Sequence, residues 1–251
     1  MQKTHQAVTG SGSPLTKYQD LMVGNRSLSA LLYYEWCLLL GPLPGAIGML
    51  LRQKFWPRLF AECGTDCMFA PGITLRQPGK IRLGKAVVMS EGCILDARHE
   101  SNDISISLGD NVILSNNVML SCKNGSISIG DHCGINSQTI VQSTNGCPVK
   151  IGPDCLIGQQ CLIVGGGTYN IYNLDQSDLP IRKQDIRQDG GVRLEADVWL
   201  GGRVTVLGGV NMGRGSVAGA GAVLTKSVGA YTVSVGVPAK VVNSRQAGQV
   251  V

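Results

Sequence analysis

The chain has 251 residues, enough for one large domain and an appendage, and 43% of them are hydrophobic although only 5% are aromatic. With 34 glycines, this composition indicates a core of stacked aliphatic side chains and frequent turns, not a layered core rich in aromatic residues. The net charge of +5 is not gathered into Lys/Arg runs with interleaved aromatic residues, which argues against binding of nucleic acid.

The N-terminus and the cysteines indicate the compartment. Met1 to Pro14 are polar and lack the apolar stretch of a signal peptide. Among nine cysteines, Cys63 and Cys67 form the only close pair, and no second pair of Cys or His follows at zinc-site spacing. We therefore expect reduced cysteines, a cytoplasmic protein and no metal cofactor.

An apolar segment dominates the N-terminal region. We expect residues 1–16 to form a flexible tail and residues 17–62 a helical appendage, in which residues 28–51 are strongly apolar. Two prolines in Gly41-Pro-Leu-Pro-Gly45 divide that segment into pieces shorter than the ~20 residues that span a bilayer. The pattern predicts a helix–break–helix that dips into one leaflet of the inner face of a membrane.

Basic residues follow the apolar segment. Arg52, Lys54 and Arg58 would lie near anionic headgroups if the helices enter a leaflet. The alternative is a pair of helices that covers the open N-terminal end of the domain that follows, where strand edges would otherwise be exposed.

A period of six residues governs the chain from Leu83 onward. The longest unbroken run of interior aliphatic positions is Leu194, Leu200, Val206, Met212, Ala218 and Leu224. A second set, mostly small or branched, follows four residues later at Val198, Val204, Val210, Ser216, Ala222 and Val228. This period fits neither a 3.6-residue helix nor a hairpin meander, but it fits short strands joined by tight turns. Gly201, Gly213 and Gly219 are expected to relieve steric crowding at corners, where φ can be positive.

The same frame recurs upstream in blocks of three sides. These blocks are Leu83/Met89/Leu95, Leu108/Leu114/Leu120, Ile129/Ile135/Val141 and Ile151/Ile157/Ile163, with Cys133, Cys155 and Cys161 at inner positions. Every interruption follows a third side, at residues 96–107, 121–128, 142–150 and 164–193. The sequence therefore predicts triangular coils of a parallel β-helix whose insertions leave from one corner.

Six coils at the strand spacing of about 4.8 Å would give a prism of roughly 25–30 Å. A β-sandwich would instead show turn signals every 8–12 residues, without a fixed six-residue frame. We assign residues 63–243 to this mainly β domain, residues 164–193 to its long loop and residues 244–251 to a C-terminal tail.

Three C-terminal motifs resemble those of the hexapeptide-repeat acyltransferases, especially the sugar and polysaccharide O-acetyltransferases. They are Asp197-Val-Trp-Leu-Gly-Gly, Gly219-Ala-Gly-Ala-Val-Leu-Thr-Lys and Gly236-Val-Pro-Ala-Lys, and the resemblance covers about residues 70–243. It implies a left-handed parallel β-helix, a homotrimer, and active sites between neighbouring subunits. It also implies acetyl-CoA, or another acyl-CoA, as co-substrate along the C-terminal coils.

The resemblance assigns cofactor-binding residues by position. Gly202 and Ala220 match backbone contacts to the pantetheine arm, Trp199 lies on the same cofactor side, and Thr225, Lys226 and Lys240 match positions near the nucleotide. Small residues admit a thin arm to the backbone, and lysines supply point charges for phosphates.

The catalytic base departs from the family pattern. In the family a His follows a Gly-rich turn in the long loop, whereas here Thr168 and Tyr169 stand in that place, although the element Asp178-Leu-Pro-Ile matches. Acyl transfer to a hydroxyl needs a base. Tyr169 could serve with a lowered pKa, and Asp178 or Asp175 if desolvated; any of these could instead orient the acceptor.

The three histidines lie in different parts of the sequence. His99 lies in an insertion at the same corner as the long loop, but three coils, roughly 14 Å, separate them. His132 aligns with Asn111, Asp154 and Asp197, which indicates a corner residue with positive φ, although Asp154 could pair with it. His5 lies in the N-terminal tail.

The function implied is transfer of an acyl group, expected to be acetyl, from CoA to a hydroxyl of a sugar or lipid-linked glycan in polysaccharide biosynthesis. The rival is a catalytically inactive trimeric scaffold or a regulatory acyl-CoA-binding protein, because the loop His is absent. A γ-type carbonic anhydrase shares the β-helix but needs three zinc-binding His, and too few are suitably placed.

Overall fold

The computed structural model describes residues 13–101, 103–170 and 178–246, so that His5 and Asp175 lie outside the described residues. A parallel β-solenoid with N-terminal helices confirms the predicted fold class. Its coils have three sides, and each side contributes one strand to one of three sheets, which are parallel except for the antiparallel last strand pair of the second sheet.

The first 21 strands follow the three sheets in strict rotation, and the last two both belong to the second sheet. The first sheet contains β1 (Glu62–Cys63), β4 (Ile81–Leu83), β7 (Ile106–Leu108), β10 (Ile127–Ile129), β13 (Val149–Ile151), β16 (Val192–Leu194) and β19 (Asn211–Met212). The second contains β2 (Met68–Phe69), β5 (Val88–Met89), β8 (Ile113–Leu114), β11 (Gly134–Ile135), β14 (Leu156–Ile157), β17 (Trp199–Leu200), β20 (Val217–Ala218), β22 (Thr232–Val235) and β23 (Lys240–Ser244). The third contains β3 (Thr74–Arg76), β6 (Ile94–Arg98), β9 (Met119–Lys123), β12 (Ile140–Thr144), β15 (Leu162–Gly165), β18 (Thr205–Val206) and β21 (Val223–Leu224).

The predicted interior is confirmed. Leu194, Leu200 and Val206 are at most 1% exposed, and the aliphatic residues of the upstream blocks are buried with them in one continuous core. Strands β6, β9, β12 and β15 of the third sheet continue outward before the chain leaves. All four predicted insertions therefore emerge at the corner between the third and first sheets, which we call the loop corner.

The structure has seven coils in the described chain, not six, because a coil precedes Leu83. Residues 62–76 form it, with Phe69 and Leu75 buried in the same interior columns. The six-residue pattern does not reveal this coil, because Cys63 and Phe69 stand where the next coil has Leu83 and Met89. A 3₁₀ turn at Pro78–Lys80 also interrupts the period.

The corner glycines relieve crowding as predicted, but the positive φ expected at these positions was wrong. Gly201, Gly213 and Gly219 do not have positive φ, which falls two residues later at Arg203, Gly215 and Gly221. A Cβ at Gly201 would instead lie 2.7 Å from Ala220 N of the next coil. These glycines are needed because successive coils approach closely, not for backbone conformation.

At the corner between the first and second sheets, five of the seven coils carry a polar residue at the left-handed position, as predicted for His132, and Ala86 and Gly215 are the exceptions. Its φ is 57°, and those of Asn111, Asp154 and Asp197 are 55°, 60° and 59°. Asn and Asp tolerate this region better than most residues, and His132 takes the equivalent place in its coil.

The predicted helix–break–helix is present at the N-terminus. Helix α1 (Pro14–Tyr18) begins within the segment expected as a tail and continues into a π-helical turn at Gln19–Val23. Helix α2 (Leu28–Leu40) begins after Ser27, whose Oγ accepts a hydrogen bond from Ala30 N. Helix α3 (Gly45–Phe55) follows the proline break and ends in a 3₁₀ turn at Trp56–Leu59.

The helices cover the open end of the first coil. Tyr34 Oη donates to Leu75 O (2.6 Å), Gln53 Nε2 donates to Cys67 O (3.2 Å), and Gly41 O accepts from Gly72 N (3.2 Å). The backbone groups of Leu75, Cys67 and Gly72 belong to the first coil, so no preceding coil is there to pair with them. The end-cap alternative is therefore correct for the buried faces of α2 and α3.

Arg52 does not lie where headgroups would contact it, which corrects the prediction for this residue. It is 1% exposed, and its guanidinium donates to Phe69 O (2.8 Å), Leu40 O (3.0 Å) and Leu43 O (2.7 Å). The side chain thus ties the end of α2 and the proline break to β2. Five donors in a planar fork suit a site with several carbonyl acceptors. In the described chain, no helix combines the length and apolar character required to cross a bilayer.

Candidate active site

The long loop returns to the solenoid as a short hairpin over the loop corner. Arg187 N donates to Thr168 O (2.7 Å) and Asn170 N donates to Asp185 O (2.8 Å), so that Tyr169 pairs with Ile186. These bonds join residues 168–170, where the loop leaves the solenoid, to residues 185–187, where it returns.

Asp189 clamps both ends of this loop. Its carboxylate accepts hydrogen bonds from Gly166 N, where the loop leaves, and from Gly191 N, where it returns, each at 2.8 Å. A Cβ at Gly208 would overlap Asp189 Oδ2, so only glycine there leaves the carboxylate in this position. The clamp places the loop over coils five and six.

A cavity of about 330 Å³ lies under the hairpin. It is lined by Val164, Thr168, Arg187, Asp189, Leu207, Gly208, Gly209 and Thr225, from the fifth, sixth and seventh coils. Thr168, which replaces the expected His, and Thr225, predicted on the cofactor side, thus face one cavity. It also contains a cation, Arg187, and a clamped carboxylate, Asp189.

Sequence reasoning missed Arg187, Asp189 and Gly208. The available signal was the pair Gly190-Gly191 directly after an acidic residue, at the point where the six-residue frame resumes. Both glycines have positive φ, and a Cβ at Gly191 would overlap the backbone of Pro148.

The long loop carries two of the three predicted catalytic residues, but it brings neither of them into the cavity lining. Tyr169 is half-buried in the hairpin next to Thr168, whereas Asp178 is exposed in the distal part of the loop, before the 3₁₀ turn at Ile181–Lys183. Tyr169 directly follows Thr168, which lines the cavity, but neither Tyr169 nor Asp178 lines it.

His99 remains apart from this cavity. It follows β6, and three strand spacings separate β6 from β15 in the third sheet, as predicted. Ser101 N donates to its Nδ1 (3.0 Å), and Ser101 Oγ lies 2.7 Å from the same nitrogen and donates to Asp103 (2.6 Å). Because Nδ1 faces an N–H donor, a neutral imidazole here carries its proton on Nε2.

The predicted pantetheine positions lie on the corner between the second and third sheets. In the third to fifth coils this corner carries polar side chains, including Asn116, Gln138 and Gln160. In the sixth and seventh coils the exposed Arg203 is the one long outward side chain at this corner, and its Nε donates to Gln160 Oε1 (2.7 Å); the other outward positions are Gly201, Gly202, Gly219, Ala220 and Gly221. We call these five residues the smooth strip.

The predicted nucleotide-side positions lie across the third sheet from the smooth strip. Thr225 and Lys226 are exposed at the loop corner immediately after β21. Ala239 N donates to Val223 O (2.8 Å), which brings the exposed Lys240 to the end of the same sheet. The outward face of β18 and β21 therefore lies between the smooth strip and the predicted nucleotide-side residues.

Trp199 is separated from both groups. It is 55% exposed on the outward face of the second sheet, in register with Leu156 and Val217, and it does not line the cavity. Among the described residues, no group of three or more His, Cys, Asp or Glu side chains could hold a metal ion. All nine cysteines are free.

Comparison with known proteins places the chain in a family. The family model "Hexapeptide repeat of succinyl-transferase" matches residues 99–122, 148–168 and 191–226. WbbJ of Escherichia coli K12, described as an O-acetyl transferase of lipopolysaccharide biosynthesis, is 33% identical over 144 residues, which cover 56% of this chain and 72% of WbbJ. The chain belongs to the hexapeptide-repeat acyltransferases.

Other relatives are matched over a smaller share of their own length. The acetyltransferase Rv3034c of Mycobacterium tuberculosis is 29% identical over 169 residues, covering 67% of this chain but 51% of Rv3034c, and Staphylococcus aureus relatives are covered to 55%. The chain thus spans about half the length of these curated relatives.

A solved structure shares the fold. It is a point variant of AntD, an N-acyltransferase from Bacillus cereus, in complex with dTDP-4-amino-4,6-dideoxyglucose and coenzyme A. The TM-score is 0.53 at 18% sequence identity, with 77% of this chain and 89% of AntD covered.

Proposed function

We propose that this chain transfers an acyl group, most simply acetyl, from CoA to a hydroxyl group of a sugar. The observation that carries the proposal is the cavity beneath the long loop, which joins Thr168 and Arg187 to Thr225 at the edge of the third sheet. Membership in a family whose relatives include proteins described as acetyltransferases supports the reaction class.

The smooth strip fits the pantetheine arm of CoA. A thin, unbranched arm needs a surface with few side chains, and the Gly and Ala residues of the strip offer one beside Arg203, where earlier coils carry Gln and Asn. Lys226 and Lys240, both exposed at the far edge of the third sheet, would attract the phosphates at the nucleotide end. When bound, CoA supplies the thioester whose carbonyl carbon the acceptor attacks.

The residues around the cavity can serve the remaining steps. The acceptor hydroxyl must lose its proton as its oxygen attacks, and the carbonyl oxygen gains negative charge before the thiolate leaves. The Thr168 hydroxyl and the Arg187 guanidinium are donors able to orient the acceptor or stabilise that charge. Tyr169, Asp178 and His99 stay the candidates for the base.

We further propose that the chain acts as a homotrimer. The outward face of the second sheet carries a ladder of exposed apolar side chains, namely Met68, Ile113, Leu156 and Trp199. By contrast, the outward face of the first sheet carries Arg82, Lys150 and Arg193. A second copy of this chain would cover the ladder, and sedimentation of wild type against Leu156→Asp tests it.

We also propose that the chain acts at the inner face of a membrane, and the support for this location is a second, exposed face of the helical cap that is apolar. The large exposed side chains are Leu28, Leu32, Trp36, Leu39, Leu43, Ile47 and Leu50. At the rim, the Lys54 ammonium lies 5.7 Å from the ring of Phe55, which packs edge-on against Trp36. An indole and cations bordering an apolar face suit the interface of an anionic bilayer.

Flotation with vesicles containing anionic lipid tests this location. The full chain is expected to float at high salt, because salt screens the lysine and arginine contribution only. Replacement of both Leu39 and Ile47 by Ser should abolish flotation, whereas Lys54→Gln should weaken it at low salt alone. If the full chain stays unbound and its sedimentation shows pairs of trimers, a second copy covers the face.

Acyl transfer is tested with acetyl-CoA and methyl glycosides of glucose, galactose, mannose, rhamnose and N-acetylglucosamine, with detection of product by mass spectrometry. The substitutions His99→Gln, Tyr169→Phe and Asp178→Asn are made singly. Loss of the base should lower kcat by at least a hundredfold while acetyl-CoA affinity is kept. Absence of any product from all five glycosides counts against a sugar acceptor.

The inactive scaffold is the second candidate, favoured by Thr168 in the place of the family's histidine. The variant Thr168→His distinguishes the two. If wild type binds acetyl-CoA without turnover and this variant gains activity, the chain is a scaffold that has lost its base.

A further inference from the structure

The helical cap and the cavity lie at opposite ends of the solenoid, which fixes the distance between a membrane and the reacting hydroxyl. The cap contacts the first coil through Leu75 O, Phe69 O and Cys67 O. The cavity is formed by the fifth to seventh coils. Five strand spacings in the third sheet separate β3 from β18.

The apolar face of the cap points away from the cavity. Leu31, Tyr34, Cys37 and Leu40 form the buried side of α2, and Cys37 belongs to the same core as the first coil. The exposed leucines of α2 lie on the opposite side of that helix. A bilayer that contacts them therefore lies beyond the cap along the solenoid axis.

The separation follows from standard dimensions. Five spacings of about 4.8 Å and one helix layer of about 10 Å lie between the apolar face and the sixth coil. Interfacial helices sink by about 5–10 Å into the headgroup region, which leaves roughly 25 Å between the bilayer surface and the cavity.

We infer that this enzyme acylates a sugar held roughly 25 Å from the bilayer. The inference rests on the proposed acyl transfer and membrane contact, and it narrows the acceptor. A lipid-linked acceptor must be a glycan of several sugars, acylated far from its lipid, while a monosaccharide attached directly to a lipid cannot enter the cavity. The solenoid acts as a spacer of fixed length.

The two exposed tryptophans test the geometry, since Trp36 lies on the cap and Trp199 in the sixth coil, while Trp56 is buried. Vesicles of anionic phospholipid carrying brominated acyl chains quench an indole that enters the bilayer. The variant Trp199→Phe should keep the quenching seen in wild type, and Trp36→Phe should lose most of it. If Trp199→Phe loses the quenching instead, the solenoid lies on its side and the inference is overturned.

A polyproline ruler tests the consequence for the acceptor. The best methyl glycoside of the panel is attached to a phospholipid through three or ten prolines, about 9 and 31 Å at 3.1 Å per residue. In vesicles, the long spacer should support acylation at least tenfold faster than the short one. The same two compounds without lipid must react at equal rates in solution.

The outcomes separate the proposals. Equal rates for both spacers on vesicles, with Trp36 quenched, overturn the fixed distance while membrane contact and acyl transfer stand. Turnover in solution without quenching of Trp36 refutes the membrane location and this inference with it. No turnover of any glycoside refutes the sugar-acyltransferase proposal itself.

Discussion

Replacing Gly208 with alanine is expected to open the long loop while the β-helix stays folded. The added Cβ would overlap Asp189 Oδ2, so the carboxylate must move away from Gly166 N and Gly191 N. Gly208 does not have positive φ, so the effect acts through space and not through backbone strain.

The magnitude follows from the two hydrogen bonds. A hydrogen bond to a charged group contributes about 1.5–3 kcal/mol, and Asp189 is half-buried, which favours the lower end for each. Loss of both would destabilise the closed loop by about 3 kcal/mol, on the order of a hundredfold in its opening equilibrium.

Hydrogen exchange of the hairpin amides measures that equilibrium. The amides of Asn170 and Arg187, which bond across the hairpin, should exchange about a hundredfold faster in Gly208→Ala. Amides of β9 and β12 should keep their protection, because the solenoid ladders do not depend on the loop. Gly79→Ala is the matched control, since a Cβ there meets nothing within 4 Å.

A double-mutant cycle can refute the reasoning. Once Asp189→Ala has removed the carboxylate, Gly208→Ala has nothing to displace, so the double variant should open no more easily than Asp189→Ala alone. Additive effects, or unchanged exchange in Gly208→Ala, would show that Asp189 does not hold the loop.

Three further changes test other parts of the structure. Ala220→Trp should abolish binding of acetyl-CoA in calorimetry without altering the melting temperature, whereas Ser128→Trp, exposed on the first sheet, should leave binding intact. Val204→Asp buries an unpaired charge in the core and should destabilise the domain by several kcal/mol in denaturant unfolding, while the outward Thr205→Asp should have a small effect. Arg52→Met leaves buried carbonyl groups without a donor and should lower stability by about 3–5 kcal/mol, against little change for the exposed Lys54→Met.

The solenoid could be predicted from the sequence because its order is local. Each six-residue side repeats the same burial pattern, so Leu194, Leu200 and Val206 identify the interior without knowledge of any distant contact. Positive φ at His132 could be predicted from its alignment with Asn111 and Asp154 in the repeat.

Features that depend on several distant segments could not be predicted in this way. Arg52 looks like a headgroup-binding cation in the sequence, but its acceptors come from the end of α2, the proline break and β2. The Asp189 clamp joins residues 23 positions apart and needs Gly208 in another coil. No spacing rule connects such groups, because the loop between them has no period.

The place of the reaction follows from the shape of the coils. Close approach of successive coils at Gly201 and Gly219 leaves one corner lined mainly by Gly and Ala, with Arg203 beside them, while the third-sheet strands β12 and β15 extend past the sheet and release the chain at the loop corner. In the sixth and seventh coils of the described chain, the third sheet lies between the smooth strip at one corner and the loop corner at the other. In the function proposed above, a thioester along the smooth strip and an acceptor under the hairpin would therefore meet on the outward face of β18 and β21.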